Sequence, residues 1–375
     1  MTDATADRNP ADDEQAKLAA LRERIDSIDT ELMRLISARA QCAQEVAQVK
    51  LAARPDEEVV FYRPEREAQV LRRIKAENPG PLPAEEMARL FREVMSACLA
   101  LEHPMRVAFL GPAGTFTQAA ALKHFGHSVT SVPLAAIDQV FREVESGSAH
   151  YGVVPVENST EGMVSHTLDM FITSPLKICG EVQLRIHHHL MAHPEADAAA
   201  IERIYSHQQS LAQCRQWLDL HWHQAERITV SSNAEAARRV REEPSAAAIA
   251  GDMAAELYGL RILSSNIEDR PDNTTRFLII GREDVAPSGK DKSSILVSMR
   301  NRPGALYKVL EPFHRHDISL TRIETRPSPS GTWAYVFYID FEGHVNDPAI
   351  QRVLSEIDRE AVELKHLGSY PVGVL

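Results

Sequence analysis

Residues 21–50 read LRERIDSIDTELMRLISARAQCAQEVAQVK, and this stretch decides the fold of the first part of the chain. Its apolar residues recur at alternating spacings of three and four, which places them in one stripe along a helix. The stripe extends back to Leu18, and one of its positions is taken by Arg39. An arginine in an apolar seam is costly unless an anion meets it. The segment therefore predicts a long helix that binds a negatively charged group.

Two further cationic residues, Lys50 and Arg22, indicate which side chains could share a binding site with Arg39. Lys50 lies eleven residues after Arg39, about three turns away, so both point the same way. Arg22 lies about 100° around the helix from Arg39 and cannot easily share their site, although it could serve that site in a second copy. A helix of about 37 residues would span roughly 55 Å, longer than a small domain is wide. We therefore predict an intertwined helical dimer that buries the seam.

Two shorter helices follow in the pattern. Pro64 suits the first turn of the second helix, which Asn78-Pro79-Gly80 ends. A third helix is predicted from about Ala84 to Glu102. Cys98 and Glu102 lie on the same apolar face of this helix, with Glu102 at its end. Glu102 is therefore a charged residue that stands at the end of a row of apolar residues.

The 21–50 stretch, followed by RPEREAQVL at residues 63–71, resembles the all-helical chorismate mutase family. The resemblance implies a Claisen rearrangement, which needs a compact substrate shape and stabilised charge on the ether oxygen, and no cofactor. The residues that it implies are Arg39 and the partner subunit's Arg22 on the carboxylates, Lys50 on the ether oxygen, Glu67 on the ring hydroxyl, Arg66 in support, and Cys98 and Glu102 lining the site.

Three departures from the mutase pattern matter. Arg63 stands where the family often has aspartate, Cys98 replaces a serine, and Glu102 replaces a glutamine. A glutamate can donate to the ether oxygen only when protonated, so we expect the mutase step to slow as pH rises. Two alternatives remain: a coiled-coil dimerisation arm with tolerated charges, and a dehydratase with an inactive mutase domain.

From Met105 to about Glu283, short apolar strands alternate with helices. Arg106–Leu110 reads as a buried strand that turns through a glycine-bearing loop into a helix, a weak anion-site signal by itself. Polar clusters follow the strand Tyr151–Val156, follow Ile204-Tyr205, and precede the strand Phe277–Ile280. Because ligands bind at strand ends in α/β sheets, these clusters predict one cleft between two lobes.

The clusters contain GPAGTF (111–116), VPVENSTEG (154–162), SHQQ (206–209) and TTRF (274–277), which together resemble prephenate dehydratase. The resemblance implies a two-lobed α/β domain like the type II periplasmic binding proteins, with Thr275 as the leading catalytic residue. Gln208 departs from a common proline, and we expect only a local turn change there. The other implied substrate-binding residues are Glu157, Asn158, Thr160, Ser206, Gln209 and Arg276, the last either placing a carboxylate or bracing the loop.

The run His187-His188-His189 invites a metal-site interpretation. Reading 182–190 as one strand, alternation places His188 on the apolar face with Leu190, while its neighbours point the other way. Consecutive histidines on opposite faces form no chelate. We predict a structural role and no metal site.

After the polar linker the chain shows a βαββαβ pattern, a ferredoxin-like α+β arrangement. Its strands are predicted at Ser293–Met299, Ile318–Thr325, Trp333–Phe341 and Val362–Leu367, with helices at Pro303–His314 and Ala349–Arg359. Two motifs, RPGAL (302–306) and ETRP (324–327), resemble those of ACT regulatory domains. The resemblance implies an edge-to-edge pair that binds phenylalanine as a feedback inhibitor through Gly304, Ala305, Leu306, Glu324, Thr325 and Arg326. The alternative is a module that only dimerises.

The bulk composition fits this multidomain reading. A net charge of −12 argues against nucleic acid or an anionic membrane as the main partner. Four cysteines without a CxxC pair indicate reduced thiols in a cytoplasm. We predict a disordered tail (1–13), a mutase domain (14–103), a dehydratase domain (105–284), a linker (285–292) and an ACT domain (293–375).

In this order the three parts resemble the bifunctional chorismate mutase–prephenate dehydratase family. Membership would make the chain an enzyme of phenylalanine biosynthesis, acting on chorismate and prephenate as a homodimer or homotetramer. The alternative from another class is a non-catalytic sensor that binds a small acid in its cleft.

Overall fold

A computed structural model of the chain describes residues 10–53, 60–327 and 335–375. The described residues divide into two compact units. One unit holds the residues up to Phe61 together with Ala97–His103, and the other holds Tyr62–Ser96 together with Pro104–Leu375.

Three helices form the N-terminal part. Helix α1 runs from Pro10 to Ala53, 44 residues against the roughly 37 expected, so it takes in the end of the predicted tail. Residues 1–9 of that predicted tail lie outside the described residues. Helix α2 (Pro64–Glu77) starts on its proline and ends before Asn78, and α3 spans Ala84–Glu102. The predicted bounds of both are confirmed.

The seam of α1 faces solvent in the single chain. Its predicted apolar positions are 44–55% exposed: Leu18, Leu21, Ile25, Ile28, Leu32 and Leu35. A contiguous apolar stripe of this length marks an interaction surface.

Strands and helices alternate in the middle of the chain, as predicted. In chain order they are β1 (Arg106–Leu110), α4 (Phe116–Phe125), β2 (Thr130–Leu134), α5 (Ile137–Glu145), β3 (Tyr151–Asn158), β4 (Gly162–Met163), α6 (Ser165–Thr173), β5 (Lys177–Arg185), β6 (His189–Ala192), β7 (Arg203–His207), α7 (Gln208–Gln213), α8 (Arg215–His221), β8 (Glu226–Val230), α9 (Asn233–Val240), β9 (Ala246–Ala250), α10 (Asp252–Tyr258), β10 (Arg261–Ser264) and β11 (Thr274–Gly281).

These strands build two sheets, one for each lobe. The first has the order β2-β1-β3-β11-β5 with β4 beside β3, and the second has the order β10-β6-β9-β7-β8. The central strand β9 is buried on both faces, with Ala246 and Ala248 in one apolar cluster and Ala247 and Ile249 in another. The chain crosses from the first lobe to the second between β5 and β6, and it returns along β11. The cleft therefore lies where strand ends of both sheets meet.

The crossing corrects one prediction. Residues 182–190 are not a single strand, because β5 ends at Arg185 in one sheet and β6 begins at His189 in the other. His188 is buried as expected, but His189 is buried as well. Period-two alternation does not carry through a change of sheet.

The C-terminal part is a third sheet with two helices on one face. Its elements are β12 (Asp291–Met299), α11 (Ala305–Arg315), β13 (Leu320–Pro327), β14 (Tyr335–Glu342), α12 (Pro348–Glu360) and β15 (Glu363–Pro371). The strand order β13-β14-β12-β15 is that of the predicted ferredoxin-like βαββαβ unit. Trp333, the predicted start of β14, lies outside the described residues. Within the described ranges, no helix is both long and apolar enough to cross a membrane.

Candidate active sites

A cleft of about 590 Å³ lies between the two lobes. From the first lobe it is lined by Thr115, Asn158 and Thr275, and from the second by Gln209 and Asn233. Thr115 caps the N-terminus of α4, where its hydroxyl accepts from the amide of Gln118. Both lobes therefore present hydroxyl and amide groups to one space, which is large enough for a small acid.

Asn158 and Thr275 are neighbours across β3 and β11. The Asn158 side-chain oxygen accepts from the backbone amides of Thr160 and Glu161, at 2.9 and 3.1 Å. Because backbone amides only donate, the side-chain nitrogen of Asn158 must face Thr275, whose Oγ1 it reaches at 2.8 Å. Thr275 Oγ1 thus accepts from Asn158, and its own hydrogen is left to be donated into the cleft.

In the second lobe, hydrogen bonds fix the orientation of the Asn233 side chain in a similar way. Its side-chain oxygen accepts from the backbone amide of His207 at 3.1 Å, and its nitrogen donates to Ser210 at 2.9 Å. Ser206, at the end of β7, lies beneath it, with Oγ 2.9 Å from Asn233 Oδ1 and 2.8 Å from the Ile249 carbonyl. Ser206 is fully buried and does not line the cleft. The contacts of Ser206 place it in support of Asn233, and a substrate contact by Ser206 stays a prediction.

Glu157 and Arg276 also do not line the cleft, and their roles as substrate contacts stay predictions. They pair in register on the face opposite to Asn158 and Thr275, because consecutive strand residues point to opposite sides. Glu157 forms an ion pair with Arg322 of β13. Thr160 contributes its backbone amide to Asn158, and its side chain lines a neighbouring cavity.

Arg276 is the centre of a buried network between the first lobe and the C-terminal sheet. Its guanidinium donates to Glu181 at 2.9 Å, to Asp340 at 2.7 Å and to the Tyr370 hydroxyl at 3.1 Å. Asp340 lies on β14 and Tyr370 on β15. The residue next to Thr275 is therefore bonded directly to the C-terminal domain. Of the two roles considered for Arg276, bracing fits this geometry.

Sequence reasoning missed several residues that line the cleft. They are His188, Ser210, Gln213, Asn233 and Asn273. The signals for two of them were present. Asn233 follows the end of β8 as a further strand-end polar cluster, and Gln213 lies one helical turn after Gln209 on α7, on the same face. His188 carried no such signal, because its place depends on the crossing between the sheets.

Three mutase candidates of the first unit lie close together, Arg39 and Lys50 from the C-terminal part of α1 and Glu102 from the end of α3. Arg39, Lys50 and Glu102 are all half-buried, and the two cations are close enough to influence the Glu102 carboxyl. Lys50 Nζ lies 3.4 Å from the Phe61 carbonyl and 5.5 Å from its ring centroid. Cys98, one turn before Glu102 on α3, is buried. Arg22 is exposed.

Burial raises the pKa of Glu102, although Lys50 and Arg39 act to lower it. Desolvation penalises the charged form, so the protonated carboxyl persists to higher pH than in water. A protonated Glu102 can donate a hydrogen bond, as the glutamine that it replaces would.

The remaining mutase candidates, Arg66 and Glu67, belong to the second unit. Arg66 is exposed. Glu67 pairs with Arg92 at 3.1 Å and lines a small cavity with Tyr62 and His124. Burial raises the pKa of Glu67, and Arg92 opposes the shift. In the single chain, Glu67 therefore has a protein partner where a substrate hydroxyl was expected.

The effector candidates lie on α11 and on β13, which is an edge strand of its sheet. Gly304 caps α11 with φ +80°, a conformation that glycine adopts without strain. Ala305 is half-buried, Leu306 and Thr325 are exposed, and Glu324 is half-buried. Arg326 donates to both carboxylate oxygens of Asp169 on α6, at 3.1 and 2.9 Å. Arg326 therefore forms an ion pair with the first lobe, and its effector contact stays a prediction.

Within the described residues, no three His, Cys, Asp or Glu side chains gather closely enough to hold a metal ion. The histidine run agrees with this, because each ring has a different partner. His187 meets Glu268, His188 meets Gln213, and His189 meets Asp252.

Comparison with known proteins matches the chain in three consecutive stretches. Family models of chorismate mutase type II, prephenate dehydratase and the ACT domain match residues 21–103, 107–285 and 293–359. The chain is 65% identical over 363 residues to the bifunctional chorismate mutase/prephenate dehydratase of Stutzerimonas stutzeri, covering 96% of this chain and all of the relative. The protein of the same name from Pseudomonas aeruginosa is 63% identical with the same coverage.

Among solved structures, the chain is similar to a prephenate dehydratase from Arthrobacter aurescens in complex with L-Phe. The identity is 35% and the TM-score is 0.66, over 71% of this chain and 90% of that one.

Proposed function

The chain belongs to the family of bifunctional chorismate mutase/prephenate dehydratases, and from this premise we propose which of its residues carry out the two reactions. It converts chorismate to prephenate and then prephenate to phenylpyruvate, in phenylalanine biosynthesis. The domain limits that we propose are 14–103 for the mutase, 105–284 for the dehydratase, and 293–375 for the ACT domain after a linker at 285–292.

Thr275 is the central residue of the dehydratase step. In this reaction the C–C bond to the ring carboxylate breaks and its electron pair enters the ring, while the C–O bond breaks and its pair leaves with the oxygen as hydroxide. The single observation that carries the assignment is the Asn158 contact at 2.8 Å, which makes Thr275 a donor toward the cleft. A donor aimed at oxygen stabilises the charge that develops there.

Gln209 and Asn233 are proposed to bind the substrate from the second lobe, and Asn158, Thr160 and Ser206 to support the cleft residues, since both side-chain hydrogens of Asn158 are donated to Thr275 and Asn273. Gln209 and Asn233 supply donors to the carboxylate and ketone oxygens of the substrate, which are all acceptors. A cleft with donors on both walls favours a dianion, even in a protein of net charge −12.

For the mutase step we assign Lys50 and protonated Glu102 to the ether oxygen, and Arg39 to a substrate carboxylate. Cys98 packs beside them, and Arg66 and Glu67 keep their expected roles at the ring hydroxyl in the assembled dimer. Concentrating cations where negative charge grows is the main source of rate enhancement in a reaction without a nucleophile.

The pH profile of Glu102→Gln tests the protonated-donor role. In the parent enzyme, mutase kcat/KM should fall as pH rises through the raised pKa of Glu102, because ionisation removes the donated hydrogen. Glutamine keeps its hydrogens at every pH, so the variant should lose this fall. Mutase rates measured on chorismate across the acidic to neutral range give the comparison. Superimposable profiles would show that Glu102 is not the titrating donor.

We propose that the functional chain is at least a homodimer, with α1 intertwined between copies. The exposed seam of α1 supports this, because burying six large apolar residues against a partner is favourable. Arg22 would then serve the partner's site. Assembly to a tetramer stays a prediction, as does a cytoplasmic location.

We propose feedback inhibition by L-phenylalanine at the ACT domain, through the loop at Gly304 to Leu306 and through Glu324 and Thr325 on β13. Binding of L-Phe by the Arthrobacter aurescens relative supports the choice of ligand. The Arg276 network supports a route to the dehydratase, since it bonds the strand that carries Thr275 to β14 and β15.

Gly304→Ala should weaken this inhibition. The Gly304 backbone has φ +80° with open space around it, so an added Cβ meets no neighbour but strains the loop by about 1 kcal/mol. We expect roughly five-fold more phenylalanine for half-inhibition of dehydratase turnover. Gly289→Ala is the matched control, with φ +89° and equally open space but in the linker. Unchanged parent turnover at saturating phenylalanine, with no calorimetric heat, would refute the proposal.

The direct test of the two activities is to add chorismate to the purified full chain and follow prephenate and phenylpyruvate separately. Prephenate should rise first and phenylpyruvate should follow. Binding of either acid without turnover would support the sensor alternative. Prephenate turnover without chorismate turnover would support an inactive mutase.

A further inference from the structure

His188 occupies the wall of the dehydratase cleft where the chain crosses between the lobes. Its ring is 1% exposed and packs edge-on against Phe116, with ring centroids 5.7 Å apart. Its backbone is held at both ends, because the amide donates to Glu268 at 2.9 Å and the carbonyl accepts from Ile267 at 2.8 Å. The position of the imidazole is therefore fixed by its packing and by the hydrogen bonds of its backbone.

A chain of hydrogen bonds fixes which ring nitrogen carries the hydrogen. The backbone amides of Thr160 and Glu161 hold the oxygen of Asn158, so the Asn158 nitrogen donates to Asn273 Oδ1 at 2.9 Å. The nitrogen of Asn273 then donates to Gln213 Oε1 at 3.0 Å.

The same Gln213 oxygen lies 2.9 Å from His188 Nε2. An oxygen can only accept, so Nε2 must carry the hydrogen and Nδ1 must present a lone pair. The direction is set by two backbone amides, which cannot reverse, and it passes through three side chains to the ring.

Nδ1 of His188 is buried and has no hydrogen-bond partner among the described residues. Burial lowers the pKa of His188, although Gln213 opposes the shift, so the neutral ring is favoured. The neighbouring charged or titratable groups are His187, His189 and Glu268. A buried acceptor without a protein partner is unusual in folded proteins.

We propose that His188 Nδ1 accepts the hydrogen bond of the substrate's ring hydroxyl, and so sets the orientation of prephenate in the cleft. The inference rests on the proposed dehydratase function of this cleft. Prephenate carries two carboxylates and a ketone, which are acceptors, and a single donor, the hydroxyl that leaves. The unpaired acceptor of a residue that lines the cleft therefore matches only that end of the substrate.

The two fixed groups act on the same oxygen in complementary ways. Thr275 donates to it, and His188 receives its hydrogen, which turns a lone pair of the oxygen toward Thr275. As the C–O bond breaks, the oxygen becomes a stronger acceptor and a weaker donor. The Thr275 bond strengthens while the His188 bond does not. His188 should therefore contribute mainly to substrate binding, and Thr275 mainly to the rate.

His188→Gln is the decisive variant, because the glutamine amide can replace Nε2–H toward Gln213 but has no acceptor at the Nδ1 position. We expect KM for prephenate to rise roughly ten-fold, as for loss of one buried hydrogen bond, with a smaller change in kcat. Competitive inhibition by phenylpyruvate, which lacks the hydroxyl, should not change. His188→Asn can place its carbonyl oxygen near the Nδ1 position and should keep KM close to the parent value. His187→Gln is the control from the adjacent residue.

Mutase activity of the same chains and their thermal unfolding report whether each variant folds. Parent turnover of prephenate tests the proposed function separately, so its failure is distinguishable from failure of the His188 assignment. Equal weakening of prephenate and phenylpyruvate by His188→Gln, or no change in either, would overturn the proposal. If His188→Gln does not fold, a ten-fold rise in KM for a folded His188→Asn would do the same.

Discussion

Thr275→Val is expected to lower kcat of the dehydratase step by about 10²–10³-fold, as for loss of one preorganised donor. Valine keeps the shape of threonine but has no hydrogen to donate to the departing oxygen. It also leaves the Asn158 nitrogen without its acceptor at 2.8 Å. Because prephenate binding uses other groups, KM should change much less than kcat. The measurement is phenylpyruvate formation from prephenate, with mutase turnover of chorismate as an internal reference that stays at the parent level.

Two further variants, one at Thr275 and one at Thr274, serve as controls for this experiment. Thr275→Ser keeps the hydroxyl and should retain most of the activity. Thr274→Val is the matched control, because the Thr274 hydroxyl donates to the Asp272 carbonyl at 3.3 Å and Thr274 is not among the described residues that line the cleft. A Thr275→Val enzyme with near-parental kcat would mean that the donor at the leaving oxygen lies elsewhere.

Lys50→Ala should remove most mutase activity, by about 10²–10³-fold in kcat/KM, and leave prephenate turnover unchanged. The reason is the loss of the cation at the ether oxygen, where charge grows during the rearrangement. The change also removes one of the two cations that oppose the raised pKa of Glu102. Lys17→Ala on the same helix serves as a control, since this exposed residue lies outside the predicted site.

Co-expression of two inactive mutase variants tests whether each mutase site takes residues from two copies of the chain. Arg22→Ala and Lys50→Ala chains should each be inactive alone. If Arg22 serves the partner's site, a mixed dimer contains one intact site, and co-expression should restore about a quarter of parental mutase activity. Failure to recover activity in verified mixed dimers would place Arg22 in the site of its own chain, or outside any site.

The strand and helix pattern was readable from the sequence, because it depends on local periodicity. The apolar stripe from Leu18 to Val49 predicted α1, and Pro64 and Asn78 marked the ends of α2. Strand-end polar clusters predicted a cleft that Asn158, Gln209 and Thr275 do line. These features follow from spacing alone, which is the same in the free segment and in the folded chain.

Four of the predicted site residues have protein partners in this structure where a ligand was expected. Glu157 and Arg276 stand next to cleft residues in the sequence, but alternation turns them to the opposite face of the sheet. Ser206 and Arg326 belong to recognised motifs, yet one supports Asn233 and the other pairs with Asp169. A motif shows which residues occur together, and only the strand register shows which of them share a face.

By itself, the sequence determined the order of three domains, the helical and strand elements, and the cations that an apolar helix would not carry without an anion to bind. The tertiary structure alone decided which polar groups meet across the lobes, that Arg276 joins the catalytic strand to the C-terminal sheet, and that His188 keeps a free acceptor. The physical reason is that periodicity is a property of neighbours along the chain. Hydrogen-bond direction, burial and register depend on partners that lie far apart in sequence, such as Asn158 and Asn273 or Arg276 and Asp340.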